Sequence, residues 1–237
     1  MPHVAVVLAA VVTEGVMVAP AWDSANGVFV GNKAATGDSE LLSPLWIFGY
    51  GSLVWRPEPG WEAFRAARGS VDGWSRWFAQ RSMDHRGTPQ APGLVCTLLP
   101  DCSLDTLGAR GDRDKPSTTL GVAYLIPDDH RDDVLANLDF REKGGYTRAI
   151  ADVRLEGAED GASIRALVYS ATIDNPNFVP RFVTDDPAAL DEAAAIIATT
   201  RGPSGPNNEY LYKLADAIPD DPYLKALEAR VRERALA

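Results

Sequence analysis

Apolar and polar positions become regular only from Pro44 onward. From there "PLWIF", "SVDGWSRWF", "GLVCTLL", "LGVAYLI", "YTRAIADVRL" and "IRALVYSATI" are apolar or alternating runs of strand length. In "YTRAIADVRL", Ala149, Ala151, Val153 and Leu155 share one face, the pattern of a half-buried strand. Helical signals are interleaved and then take over. "DDVLANLDFREK" opens with acids and stops at a glycine pair. "DPAALDEAAAIIATTRG" offers Asp186 as N-cap, Pro187 in the first turn and Gly202 past the end. "NNEYLYKLADAI" has Asn207 or Asn208 as a cap. "PYLKALEARVRERALA" sets Leu224, Leu227 and Val231 on one stripe, read as core. About six strands followed mostly by helix predict an α+β fold, a curled sheet or small barrel with helices around it. Residues 101–119 read as a mobile loop between two strands, and the "RGD" within it as chance.

The first 44 residues follow no such pattern. "VAVVLAAVV" (4–12) has the apolar character of a signal-peptide core. No Lys or Arg precedes it, however, and it is too short to span a bilayer. Residues 1–44 are therefore read as a poorly ordered extension, and 45–237 as one domain.

Composition narrows the function. The formal charge of −10 over 237 residues argues against a nucleic-acid partner, which selects for a basic face. Two cysteines, Cys96 and Cys102, are too few for a disulfide framework and fit a reducing, cytoplasmic setting. Cys96 sits in an apolar run and reads as an inert core thiol. His3, His85 and His130 are too far apart for metal-ligand spacing, so no metal is expected.

Four segments are candidates for chemistry. "GYGS" (49–52) follows an apolar run. A bare turn there either serves backbone geometry alone or brings peptide N–H groups against an anion or a developing oxyanion. It lacks the Lys-Ser/Thr of a phosphate loop and the βαβ setting of a dinucleotide fingerprint. In "LDFREKGGY" (138–146), Glu142 falls in the last turn of its helix, the unfavourable end for a carboxylate. Partial burial would raise its pKa further and suit it to acid/base work, whereas solvation between Arg141 and Lys143 would leave it inert. "DHRGTPQAPG" (84–93) offers Asp84, His85 and Arg86 to a substrate carboxylate or to a turn. "RGPSGPNNEYLY" (201–212) enters a helix N-terminus, another anion-friendly spot.

Taken together and in order, these segments resemble the ChaC-type γ-glutamylcyclotransferases. The shared motifs are "FGYGSLVW" (48–55), "SRWFAQRSMDHRGTP" (75–89), "LDFREKGGYT" (138–147), "DNPNF" (174–178) and "GPSGPNNEYL" (202–211). The resemblance covers about residues 45–237. It implies a mixed β-barrel flanked by helices, no metal or cofactor, and release of 5-oxoproline from γ-glutamyl compounds, typically glutathione. It also implies Glu142 as catalytic acid/base and Ile47, Phe48, Gly49, Tyr50, Gly51, Ser52 and Leu53 as the loop holding the γ-glutamyl head. Side chains at the two glycines would block that approach. Arg86 and Tyr210 follow as substrate-binding candidates, with Tyr210 the next suspect as proton carrier. "FAQRSMDHRGTP" departs from the more usual FWQGSTDHRGTP, so the pocket wall near Arg81 and Met83 differs, as does the longer 101–119 segment. The same chemistry on another γ-glutamyl amine or peptide, or a non-catalytic γ-glutamyl-binding regulator, are the alternatives. Oligomeric state is not legible.

Overall fold

A computed structural model describes residues 21–23, 28–30, 42–109, 115–142, 145–159 and 162–235. The apolar run at 4–12 and most of the expected extension lie outside them. Within that extension β1 (Ala21–Asp23) pairs antiparallel with β2 (Val28–Val30), and Leu42 already belongs to a buried cluster.

Strands β3 (Leu45–Gly49), β4 (Arg65–Asp72), β7 (Thr118–Ile126), β8 (Tyr146–Leu155) and β9 (Ile164–Ala171) close a barrel in the order β3-β7-β4-β8-β9. All neighbours run antiparallel except β9 and β3, which meet in parallel at Ile47 and Leu167. So small a barrel leaves little interior volume. Its filling is accordingly small: Val71, Ala123, Ala151, Val153, Ala166 and Val168, with the rings of Trp46 and Phe48. The alternate positions of β3, Leu45 and Ile47, face outward. There they pack with Tyr124, Ile126, Leu167 and Tyr169 beneath Val134, Leu135 and Leu138 of α2 (Arg131–Arg141). The period-two alternation of a strand thus sends one chain segment into two cores.

A second sheet pairs β5 (Trp74–Ser82) with β6 (Gly93–Pro100). Helices α3 (Pro187–Thr199), α4 (Asn207–Ala217) and α5 (Pro222–Ala235) join its buried cluster. Leu224, Leu227 and Val231 of α5 are fully buried, as their stripe predicts. Asp186 caps α3 by accepting from Ala188 N at 3.0 Å.

Three expectations are corrected. "SVDGWSRWF" is not one strand: Gly73, at φ +78°, divides it, and the chain leaves the barrel there for the second sheet. The segment after Pro100 is not simply a loop but opens with α1 (Asp101–Leu107). Leu104 anchors it in the core, Asp101 accepts from Ser117 N, and Gly108 ends it at φ +64°. Helix α4 is not capped by an asparagine side chain. Its N-cap is Pro206, and Asn207 instead exchanges two hydrogen bonds with the backbone of Leu94, at 2.6 and 2.7 Å. A short pair, β10 (Arg201–Gly202) with β11 (Gly205–Pro206), precedes it.

Candidate active site

A cavity of about 680 Å³ opens where β3 ends, and every residue singled out above for the γ-glutamyl site lines it. Glu142 is the C-cap of α2, its amide donating to Leu138 O at 2.8 Å. Its side chain is about one-fifth exposed, with Oε1 3.4 Å from Arg141 Nε. Burial raises its pKa; Arg141 and His85 pull it down, and Glu58 and Asp84 push it up again. The helix end adds to the rise, because its exposed carbonyls disfavour a second negative charge. Glu142 is therefore a carboxyl held above its ordinary range inside a cavity, as an acid/base group requires.

In the same cavity wall the chain turns sharply through a 3₁₀ segment, Ser52–Val54, with Val54 and Trp55 donating back to Gly51 and Ser52. The first amides of such a turn have no acceptor within it, so they are available to a ligand. The loop is held from four sides. Arg76 Nε donates to Tyr50 O at 2.9 Å, and Tyr124 OH to Leu53 O at 2.7 Å. Arg141 reaches the Ser52 hydroxyl, and Tyr50 OH donates to Tyr169 O at 2.7 Å. Ile47 and Phe48 bury their side chains in the two cores, so only their backbone can serve the cavity.

The protein's own packing also requires the two glycines. Gly51, at φ −112°, lies outside the left-handed region, and so does Gly49. A Cβ on Gly51 would lie 2.9 Å from Tyr210 OH and 3.1 Å from Cys96 Sγ; one on Gly49 would lie 2.6 Å from Leu53 Cβ. The space is taken by the protein itself, which presses the loop against its own floor.

That floor is Tyr210 and Cys96, joined through OH and Sγ at 3.1 Å. Both are buried, and burial pushes the phenol well up and the thiol up to about 11. Each stays protonated at neutral pH, so Cys96 is the unreactive thiol its sequence context suggests, though it stands at the site. Tyr210 is wedged edge-on against Trp55 and Phe78.

Arg86 also faces the cavity, but its guanidinium is engaged elsewhere. It donates to Pro206 O at 3.0 Å, pairs with Glu209 and lies over the Tyr210 ring. Its position braces the Tyr210 wall rather than offering a free cation. The GPSG segment is the other half of that brace: Ser204 N donates to His85 O, and a Cβ on Gly202 would strike the His85 carbonyl at 2.2 Å. The DNP segment has a similar task. Asn175 Nδ2 donates to Gly145 O at 2.7 Å, fixing the chain just after Glu142.

Several contributors escape sequence reading. Arg76 is buried and joins the loop to Asp221 at the start of α5. Tyr169 and Arg148 both hold Asp139, tying the end of α2 to β8 and β9. Arg141 reads in the sequence as a neutralising neighbour of Glu142, yet it spans the cavity. Nothing in local pattern marks these roles, because each partner is remote in the chain. Among the described residues, no group of three His, Cys, Asp or Glu could hold a metal ion.

A family model described as "ChaC-like protein" matches residues 45–234. The glutathione-specific γ-glutamylcyclotransferase of Saccharomyces cerevisiae is 36% identical over 214 residues, covering 77% of this chain and 89% of that protein. The protein of the same name from Schizosaccharomyces pombe is 37% identical over 205 residues, covering 82% and 97%. A crystal structure of the glutathione-specific yeast cyclotransferase superposes with a TM-score of 0.67 at 32% identity, covering 81% of this chain and 99% of that one. The match takes in every segment that builds the cavity, and the chain belongs to the ChaC-like protein family.

Proposed function

We propose that the protein is a γ-glutamylcyclotransferase that cleaves glutathione to 5-oxoproline and cysteinylglycine. The observation that carries the reading is the placement of one carboxyl of raised pKa, Glu142, in the same cavity as a pinned loop whose first amides have no acceptor within the turn. The names of the yeast relatives support the choice of substrate.

The reaction asks little else of a protein. The substrate's own α-amine attacks its own γ-carbonyl carbon and closes a five-membered ring, so nucleophile and electrophile arrive tethered. Glu142, ionised, takes a proton from the α-ammonium. The new C–N bond forms, and the carbonyl electron pair moves to oxygen, where the amides of the Gly51–Leu53 turn stabilise it. As the oxyanion collapses, the old C–N bond breaks and Glu142 returns its proton to the leaving nitrogen. The ring nitrogen releases its remaining extra proton to water, and the freed amine takes one from water. A carboxyl of raised pKa serves both directions of that transfer. Tyr50 and Tyr210, neutral because buried, hold the loop and exclude water.

Both cysteines stand free, Cys96 buried and Cys102 exposed, which supports a cytoplasmic setting where glutathione is abundant and reduced. No described helix is long and apolar enough to cross a membrane.

The test is to incubate the purified chain and its Glu142→Gln variant with glutathione at neutral pH and to assay 5-oxoproline and cysteinylglycine by mass spectrometry. Both products from the wild type, with a loss of about 10²–10⁴-fold in the variant, are expected. Equal activity in the two would move the proton transfer to another group; no product from the wild type would overturn the substrate.

A further inference from the structure

Four arginines line the cavity: Arg56, Arg81, Arg86 and Arg141. Two are committed to the protein. Arg141 holds Ser52 and Glu58, and Arg86 holds Pro206 O and Glu209. The other two are exposed. Arg56 has no side-chain partner among the described residues. Arg81 has a single long bond, Nη1 to Pro176 O at 3.5 Å.

Their surroundings separate them. Arg56 shares its stretch of wall with Glu58, which Arg141 already holds, and with Glu62, whose carboxylate would repel an incoming one. Arg81 stands among Gln80, Ser82, the Asp84–His85 pair and Arg86, where Asp84 is matched by His85 at 2.8 Å. Its backbone is fixed in β5, across from Leu94 and donating to Asn177 O at 2.8 Å, while its guanidinium can swing.

From the scissile nitrogen, an extended two-residue leaving group carries its terminal carboxylate roughly 7 Å away. Arg81 lines the same cavity as Glu142 and is one of its exposed cations, open to such a group. A planar guanidinium matches a carboxylate in a fork of two hydrogen bonds.

We propose that Arg81 binds the distal carboxylate of the leaving group, and so selects γ-glutamyl peptides ending in a carboxylate over uncharged γ-glutamyl amines. The inference rests on the cyclotransferase reading for the orientation of the substrate. It makes Arg81 a specificity-determining residue at the outer rim, separate from the machinery around Glu142.

The experiment is a calorimetric titration of the full chain carrying Glu142→Gln, which holds substrate without turnover. The ligands are glutathione and its glycyl ethyl ester, which lacks the distal charge. Glutathione is expected to bind about tenfold tighter than the ester. Adding Arg81→Ala removes that ratio by weakening the acid alone, and Arg81→Lys keeps part of it. A ratio untouched by Arg81→Ala, or one lost only with Arg56→Ala, overturns the proposal. Turnover by the wild-type chain is read separately. No product with the Arg81-dependent ratio intact overturns the cyclotransferase reading and upholds the subsite. Product with an Arg81-independent ratio does the reverse, and failure of glutathione to bind overturns both.

Discussion

The guanidinium of Arg141 is bonded to the hydroxyl of Ser52, so the residue beside Glu142 is tied directly to the loop that faces it. The same guanidinium holds Glu58 and stands 3.4 Å from the Glu142 carboxylate. One side chain thus ties two parts of the cavity wall together and sets part of the charge felt by Glu142. An arginine suits this because its donors point in several fixed directions at once; a lysine ammonium could serve one partner at a time.

Replacing Arg141 with Met should therefore change two observables together. Losing the tie to Ser52 loosens the loop and lowers kcat by about 10–100-fold, in the range expected when a positioned electrostatic contact is removed. Losing the positive charge also lets the Glu142 pKa rise further, since Arg141 is the largest influence holding it down. The acid limb of kcat/KM should move to higher pH than in the wild type. A rate defect with an unmoved limb would mean that Arg141 acts on the loop alone.

The wild-type pH profile has a sign of its own. In the proposed mechanism Glu142 must be ionised to accept the first proton, and burial raises its pKa in the folded chain. Activity should fall on acidification at a pH above the ordinary carboxylate range. Stability runs the opposite way. A carboxyl whose folded pKa exceeds its unfolded one favours the folded state below the unfolded pKa. That contribution is lost as pH rises through the folded value. Glu142→Gln, which cannot ionise, should melt at a higher temperature than the wild type at pH 8, with the gap closing toward pH 4. Thermal melts across that interval check it; equal melting at pH 8 would contradict the buried-carboxyl account.

Gly51→Ala tests the floor of the loop. The added methyl meets Tyr210 OH and Cys96 Sγ, so it should lift the loop and cost activity. Because the conflict lies with one hydroxyl in particular, Tyr210→Phe should relieve part of it. The double variant should be more active than the product of the two single effects predicts, a non-additivity expected only for groups in contact. Strict additivity in kcat/KM would show that the methyl acts by another route.

Arg76 offers a stability prediction rather than a catalytic one. It is 4% exposed and joins Tyr50 O, Leu120 O and Asp221. Arg76→Met leaves Asp221 without its buried partner, a change that typically costs about 3–5 kcal/mol. Denaturant unfolding should report that loss, and Asp221→Asn combined with it should recover part.

Much of this architecture was legible beforehand, and for identifiable reasons. "YTRAIADVRL" is β8 to the residue, because alternation along a two-sided strand is a local signal. α3 was equally plain, with Asp186 and Pro187 marking its start. The first half of β4 was not, since "RAARGS" carries little apolar material and is held by its neighbours β7 and β8. At the site, the motifs placed Glu142, the Tyr50–Leu53 turn, Arg86 and Tyr210 around one cavity. They did not reveal that Arg86 and the GPSG segment serve as bracing, or that the glycines are bare because Tyr210 and Leu53 crowd them. Apart from the Gly49–Leu53 contact, those facts depend on contacts between residues far apart in sequence, which no local pattern encodes.

The parallel meeting of β3 and β9 bears on how the protein comes into being. The strand that leads into the Tyr50–Leu53 turn is made early, yet the neighbour that closes the barrel beside it comes late in the chain. Pairings between such distant segments form slowly. A chain still emerging from the ribosome therefore holds Tyr50 and Gly51 but not yet Tyr169, the residue whose carbonyl anchors the Tyr50 hydroxyl. The full set of anchors on that loop is therefore complete only once the barrel has closed.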